Sequence, residues 1–162
     1  MSALFQRPRL LWALMAGLCV LAVALALVSQ HVFGMEPCPW CVLQRVIFLA
    51  IALECVVGYF TPSTNASRMV AISTFLLSAC GIAAALWQHF VAAASNSCNL
   101  TLADQIVSGL MLDTLLPDVF SPRASCADAA VNLLGMPYEF WSLGLFALLA
   151  GLSLKLFFSK AN

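Results

Sequence analysis

Four long apolar runs punctuate the chain, at about residues 10–28, 42–60, 69–91 and 138–158, each near the roughly 20 residues a helix needs to cross about 30 Å of hydrocarbon. The second and third are separated only by the polar turn "TPSTNASR". Two other segments interrupt the apolar pattern, a short one at about 29–41 and a long one at about 92–137. Within the long one, Leu102, Ile106 and Leu110 recur at helical spacing opposite Asp104, Gln105 and Ser108, which predicts a short helix lying on the membrane surface. The expected fold is all-α: a single membrane domain over 1–162, a polytopic four-helix transmembrane bundle carrying two polar loops on one side. Small residues, Gly17, Ala22, Gly81 and Ala84, are expected at helix contacts, with Gly17 and Gly81 as points of close approach.

Composition sharpens this picture. Of 162 residues, 63% are hydrophobic and 9% charged, against about 25% charged in a soluble domain. Seven basic and seven acidic residues cancel, so net charge gives no reason to expect a nucleic-acid partner. The partner it implies is the lipid bilayer. Arg7 and Arg9 before the first run invite comparison with a signal peptide, but the run exceeds the roughly 7–15 residues of such a segment and its Ala-x-Ala triplets lie inside it, so an uncleaved span is expected.

The placement of charge sets an expected orientation. Arg7, Arg9, Arg68, Lys155 and Lys160, five of the seven basic residues, lie at the two termini and in the "TPSTNASR" turn with no acid beside them. Those regions belong in the cytoplasm by the positive-inside rule. The loops at 29–41 and 92–137 then face outward, the second with four aspartates against Arg123.

The seven cysteines divide the same way. Cys19, Cys55 and Cys80 fall inside spans and are expected to serve as packing. Cys38, Cys41, Cys98 and Cys126 fall in the outward loops, where disulfides form and persist. Four cysteines allow three connectivities. Cys38 with Cys41 and Cys98 with Cys126 is the simplest, and a bridge across three residues closes too small a loop to stabilise the chain much. The first pair therefore points to redox chemistry, whereas the second suits a staple as well.

The stretch "EPCPWCVLQRV" supports that choice. Proline is favoured at the first helical position, so Pro39 makes Cys38 the cap and Cys41 the third residue of the second helix. There the free N–H groups and the helix dipole favour a thiolate. Arg45 lies one turn deeper on the same face, at a depth where a charge often marks a site. Trp40 and Gln44 are weaker hints. Glu54, deep in the second span, has no partner legible in the sequence and is expected to be protonated or to snorkel toward the inner interface.

A cycling dithiol needs an electron acceptor. The chain carries no Gly-rich nucleotide fingerprint, no histidine directly after "CPWC" for covalent haem, and no βαβ pattern of a thioredoxin domain. An apolar carrier entering from the bilayer fits, and a quinone, anionic on reduction, would be stabilised by Arg45. No metal is expected, since zinc bound by four cysteines usually shows two short-spaced pairs.

The N-terminal arginines and first span, "PCPWCVLQR", the four-span layout, the long loop with Cys98 and Cys126, and "LLGMPYEFW" before the last span together resemble the disulfide bond formation protein B (DsbB) family over nearly the whole chain. That resemblance implies an inner-membrane thiol oxidase that reoxidises a periplasmic DsbA-like dithiol protein and passes the electrons to ubiquinone or menaquinone. It implies that Cys98 forms the mixed disulfide with that partner, that Cys126 is its bridge mate, and that Cys126 exchanges with Cys38 to leave Cys41 as the thiolate meeting the quinone. Arg45 would support both the quinone and the Cys41 thiolate, and His89 in "LWQH" matches a histidine near the family's quinone pocket. Gln44 stands where some relatives carry an acid. Other readings share part of the pattern: a quinone and thiol oxidoreductase of the vitamin K epoxide reductase type, a haem carrier using His31 and His89, and a non-catalytic scaffold stapled by disulfides.

Overall fold

The computed structural model describes residues 8–92, 101–129, 132–133 and 135–158. Cys98, Arg7 and Lys160 lie outside the described residues. Four long helices dominate: α1 (Pro8–Phe33), α2 (Pro39–Phe60), α3 (Thr64–Trp87), which continues as a π-helical turn over Gln88–Ala92, and α7 (Tyr138–Phe158). Between α3 and α7 lie three short helices, α4 (Leu102–Gly109), α5 (Leu112–Leu115) and α6 (Pro117–Phe120), and a two-stranded ribbon of β1 (Asn132–Leu133) and β2 (Met136–Pro137), antiparallel with Leu133 opposite Met136. The protein is an all-α, four-helix membrane fold, as the apolar runs predict.

The first two spans are longer than their apolar runs. α1 continues past residue 28 to Phe33, because Ser29 returns its hydroxyl to the Ala26 carbonyl at 2.9 Å and Gln30 donates to the Asp118 carbonyl at 3.1 Å. Polar residues there keep the helix going instead of ending it. The loop expected at 29–41 shrinks to residues 34–38, with Gly34 at φ +64°, a left-handed conformation that costs glycine little and lets the Met35 N–H reach the Ser29 carbonyl. The C-terminal end of α1, the start of α2, the π-helical turn and the start of α7 meet at one end of the bundle, called here its head.

Helix contacts rest on aromatic rings over glycines. The Phe146 ring lies where a Cβ on Gly81 would stand, 2.5 Å from it, and the Trp12 indole lies 2.6 Å from the Cβ position of Gly58. Phe146 also stacks on Phe48 with ring centroids 4.0 Å apart, joining α2 to α7. In lipid, where apolar burial between helices gains little, close contact of this kind supplies much of the association. Gly81 is a point of close approach as expected. Gly17 is not: its Cβ position meets open space on the exposed flank of α1, and Gly58, unremarked in the sequence, takes that role.

The buried cysteines also separate. Cys19 and Cys55 are fully buried in the core, whereas Cys80 is exposed on α3. Glu54 has partners that the sequence left unnamed. It accepts hydrogen bonds from the Ser73 hydroxyl and, at 2.9 Å, from the Thr74 hydroxyl, both on α3. The acid is held between two helices, not extended toward an interface.

The helix expected from Leu102, Ile106 and Leu110 is α4. A capping box sets its start, with Asp104 N–H donating to the Thr101 hydroxyl oxygen while the Asp104 carboxylate accepts from the Thr101 N–H. It docks on α2 through Ala103 and Val107, both buried, and leaves Leu102, Ile106 and Leu110 exposed as an apolar stripe. That exposed stripe is the arrangement of a helix resting on a membrane surface.

Candidate active site

Cys38 is the N-cap of α2 and Pro39 its first residue, so the local geometry follows the "CPWC" reading. The Cys41 N–H, in the first turn, donates to Cys38 Sγ at 3.3 Å, and the two sulfurs stand 2.7 Å apart, unbonded. The third sulfur arrives from the long loop. Arg123 and Ala124 donate their N–H groups to the Pro37 carbonyl at 3.0 and 3.3 Å, which pins the loop to the leader of α2. The next turn brings the Cys126 thiol beside Cys38 and the Trp40 backbone N–H. Two sulfurs thus take N–H groups from the start of one helix, where free donors and the helix dipole favour anions. Trp40 itself is buried and packs at a tilt on Trp87, with centroids 6.3 Å apart.

The cluster is electrostatically uneven. Hydrogen bonds to Cys126 and Cys41, together with complete burial, hold the Cys38 thiol far above the ordinary thiol range. Accepting the bond from Cys38 holds the Cys126 thiol below it, helped by the Trp40 N–H against the opposing effect of burial. Cys38, in the middle, is the sulfur that keeps its proton.

Arg45 lies inside the head. It is buried, donating through Nη1 to Gln30 Oε1 at 2.7 Å and to the Val119 carbonyl at 2.9 Å, and through Nη2 to the Ala26 carbonyl at 3.4 Å. The guanidinium therefore joins α1, α2 and the end of α6 at the head. These partners are 15, 74 and 19 residues away in sequence, and no periodicity announces them.

Beneath Cys41 lies a cavity of about 310 Å³ bounded by α1, α2, α7 and the π-helical turn. Its walls are apolar, with Leu18, Ala22, Ala26, Phe48 and Leu145 among them, and Cys41, Gln44, Arg45, Gln88 and Glu139 supply its polar groups. Leu21, Leu25 and Trp141 line it too and are themselves exposed, so its rim lies on the lipid-facing surface. A second hollow of about 480 Å³, lined by Glu36, Pro37, Asp128 and Tyr138, also reaches Cys41 and Arg45. Cys41 and Arg45 line both.

The first cavity suits a flat apolar ring bearing polar oxygens: size at the lower end of small-molecule sites, apolar walls, and a few convergent polar groups beside a sulfur. Cys41 and Arg45, expected there from the sequence, line it. His89 does not. It stands behind the wall, where Nδ1 pairs with Glu139 Oε1 at 2.7 Å and its ring meets Phe140 edge-on, while the buried Glu139 itself lines the cavity. Glu139, Gln88, Gln30 and Ser142 escaped the sequence reading. The one signal for Glu139 is an acid at the start of an apolar run, and Gln88 directly precedes the histidine that was singled out. Cys98, the remaining expected site residue, lies outside the described residues.

Comparison with known proteins places this geometry. The family model described as "Disulfide bond formation protein DsbB" matches residues 8–156. The chain is 34% identical to disulfide bond formation protein B of Herminiimonas arsenicoxydans over 97% of its length and 98% of the relative's. It is 31% identical to disulfide bond formation protein B 1 of Pseudomonas aeruginosa PAO1, over 95% and 97% of the two chains, and 35% identical to disulfide bond formation protein B of Pseudomonas syringae pv. tomato, over 90% and 86%. With four helices long and apolar enough to cross a bilayer, this integral membrane protein belongs to the DsbB family of disulfide bond formation proteins.

Proposed function

We propose that the protein is a thiol oxidase of the bacterial inner membrane that reoxidises a soluble DsbA-like dithiol protein and delivers the electrons to membrane quinone. Both termini lie in the cytoplasm and the head faces the periplasm, as the placement of basic residues directs.

The reaction is serial thiol–disulfide exchange. A thiolate of the reduced partner attacks Cys98 in a Cys98–Cys126 bridge, forming a mixed disulfide and releasing Cys126 as thiolate. The partner's second thiolate then attacks its own sulfur in that mixed bond, so the partner leaves oxidised and Cys98 leaves reduced. Cys126 attacks Cys38 in a Cys38–Cys41 bridge, and Cys41 departs as thiolate. Cys98 returns to Cys126, expelling Cys38 and leaving the Cys38–Cys41 pair reduced. A quinone in the cavity accepts two electrons and two protons as Cys38 and Cys41 re-form their bond.

The observation that carries this reading is the position of Cys38 between Cys126 and Cys41, with Cys41 lining the lipid-facing cavity beside Arg45. The Trp40 backbone N–H also favours the thiolate that Cys126 becomes as it leaves in the first exchange. Arg45 offers positive charge where negative charge develops on the acceptor. Glu139 hands a proton to the acceptor and is resupplied through His89, which is half-exposed at the head.

The test is quinone absorbance in a mixture of purified protein, ubiquinone and a reduced DsbA-like protein. Reduction by the native chain and by neither Cys41→Ser nor Cys98→Ser is the expected result. Equal rates in the native and variant chains would exclude a path through these sulfurs.

A further inference from the structure

A line of neutral hydrogen bonds ends on the Cys41 sulfur. Gln88 Nε2 donates to Cys41 Sγ at 3.3 Å, Gln44 Nε2 donates to Gln88 Oε1 at 2.7 Å, and the Ser142 hydroxyl donates to Gln44 Oε1. Both glutamines are buried. The three links come from the π-helical turn, from α2 and from α7, so the line is built by three separate elements converging on one atom. Each amide has its oxygen occupied by the next donor, which leaves Gln88 only an N–H to present to the sulfur.

We infer that Gln88 is the positioning residue that sets the reactivity of Cys41, holding it as thiolate through an amide whose direction Gln44 and Ser142 lock. A sulfur anion accepts hydrogen bonds and donates none, so a fixed N–H favours it over the thiol. The π-helical turn has a role in this. Adding a residue to the turn at the end of α3 rotates Gln88 toward α2 while the next residue, His89, faces α7, so adjacent side chains serve two different groups at the cavity.

The inference rests on the proposed role of Cys41 only for its consequence in turnover. Its own test needs no acceptor: the pH dependence of Cys41 alkylation by iodoacetamide in the reduced full chain, read site by site by mass spectrometry. The ionisable groups around Cys41 are Cys38 and Arg45 on its own helix segment, Cys126 and Asp128 from the long loop, Glu36 from the linker, and Tyr138 and Glu139, backed by His89, from α7. All are retained in the variants chosen.

Gln88→Met keeps the volume and removes the donor. It is expected to move the alkylation midpoint of Cys41 up by about one to two pH units, a roughly ten- to hundred-fold slower reaction at fixed pH below that midpoint. Gln44→Met and Ser142→Ala leave the donor but unlock it, and a smaller shift of the same sign is expected. Ser142→Ala, the mildest change, carries the test if the glutamine variants fail to fold. An unchanged Cys41 profile in folded Gln88→Met, or in folded Ser142→Ala if that variant alone survives, overturns the inference. A shifted profile in a protein that reduces no quinone would sustain it and refute the proposed function instead.

Discussion

Gln30 Oε1 accepts a 2.7 Å hydrogen bond from Arg45 Nη1, tying the last turns of α1 to the second turn of α2 just above the cavity. A buried guanidinium needs its acceptors, because an unmatched charge in low dielectric is costly. Gln30→Leu is therefore expected to lower stability by about 1–3 kcal/mol and to raise the apparent KM for quinone. Thermal unfolding in detergent and quinone titration read the two effects. Arg45→Lys should do the same, since one ammonium on a shorter stem cannot span Gln30, Val119 and Ala26 together.

The thiols at the head should titrate in a fixed order. In the fully reduced protein Cys126, held below the ordinary range by its bond from Cys38, becomes thiolate at lower pH than Cys38, which is held far above that range. Since alkylation follows the thiolate, Cys126 is expected to label at lower pH than Cys38. Cys38→Ala removes the donor, so the Cys126 midpoint should climb toward the ordinary value of about 8.5. Mass spectrometry of pH-stepped labelling checks both statements. Earlier labelling of Cys38 than of Cys126 would show that the hydrogen bonds run the other way.

Two glycines give opposite expectations. Gly81→Ala places a methyl group against the Phe146 ring and is expected to cost about 1–3 kcal/mol. Gly17→Ala meets nothing and should leave the unfolding midpoint unchanged or slightly raised. Side-by-side thermal denaturation in the same detergent separates them.

Glu139→Gln keeps shape and hydrogen bonding at the cavity wall but removes the proton. It is expected to lower kcat for quinone reduction by about a hundredfold, while the first exchange with the partner dithiol, read as a burst of partner oxidation, proceeds at the native rate. A slowed burst would place Glu139 in the thiol steps instead.

What the sequence disclosed and what it concealed follow the range of the interactions. The cap at Cys38, the proline after it and the place of Cys41 in the first turn are settled within four residues, and the structure reproduces them. The period of Leu102, Ile106 and Leu110 revealed α4, but not that Ala103 and Val107 form its docking face, because those small side chains match a surface presented by α2. In the membrane, apolar residues face lipid and core alike, so hydropathy locates a span without saying which side is inside. That is why Gly17, on the exposed flank of α1, was expected at a contact of the kind that Gly58 makes. Arg45, Glu54 and Gln88 each find partners on a different helix or loop, and only the assembled bundle brings Gln30, Thr74 and Gln44 to them.

The central claim is that the Cys38–Cys41 pair alone can hand electrons to a quinone in the cavity. A chain with Cys98→Ser and Cys126→Ser retains only that pair at the head. It would be reduced chemically, freed of reductant and mixed with excess ubiquinone in a single turnover. One quinone reduced per chain, with a Cys38–Cys41 bridge found afterwards by mass spectrometry, is the predicted result. Quinone left oxidised, with both thiols still free in a folded protein, would contradict the account.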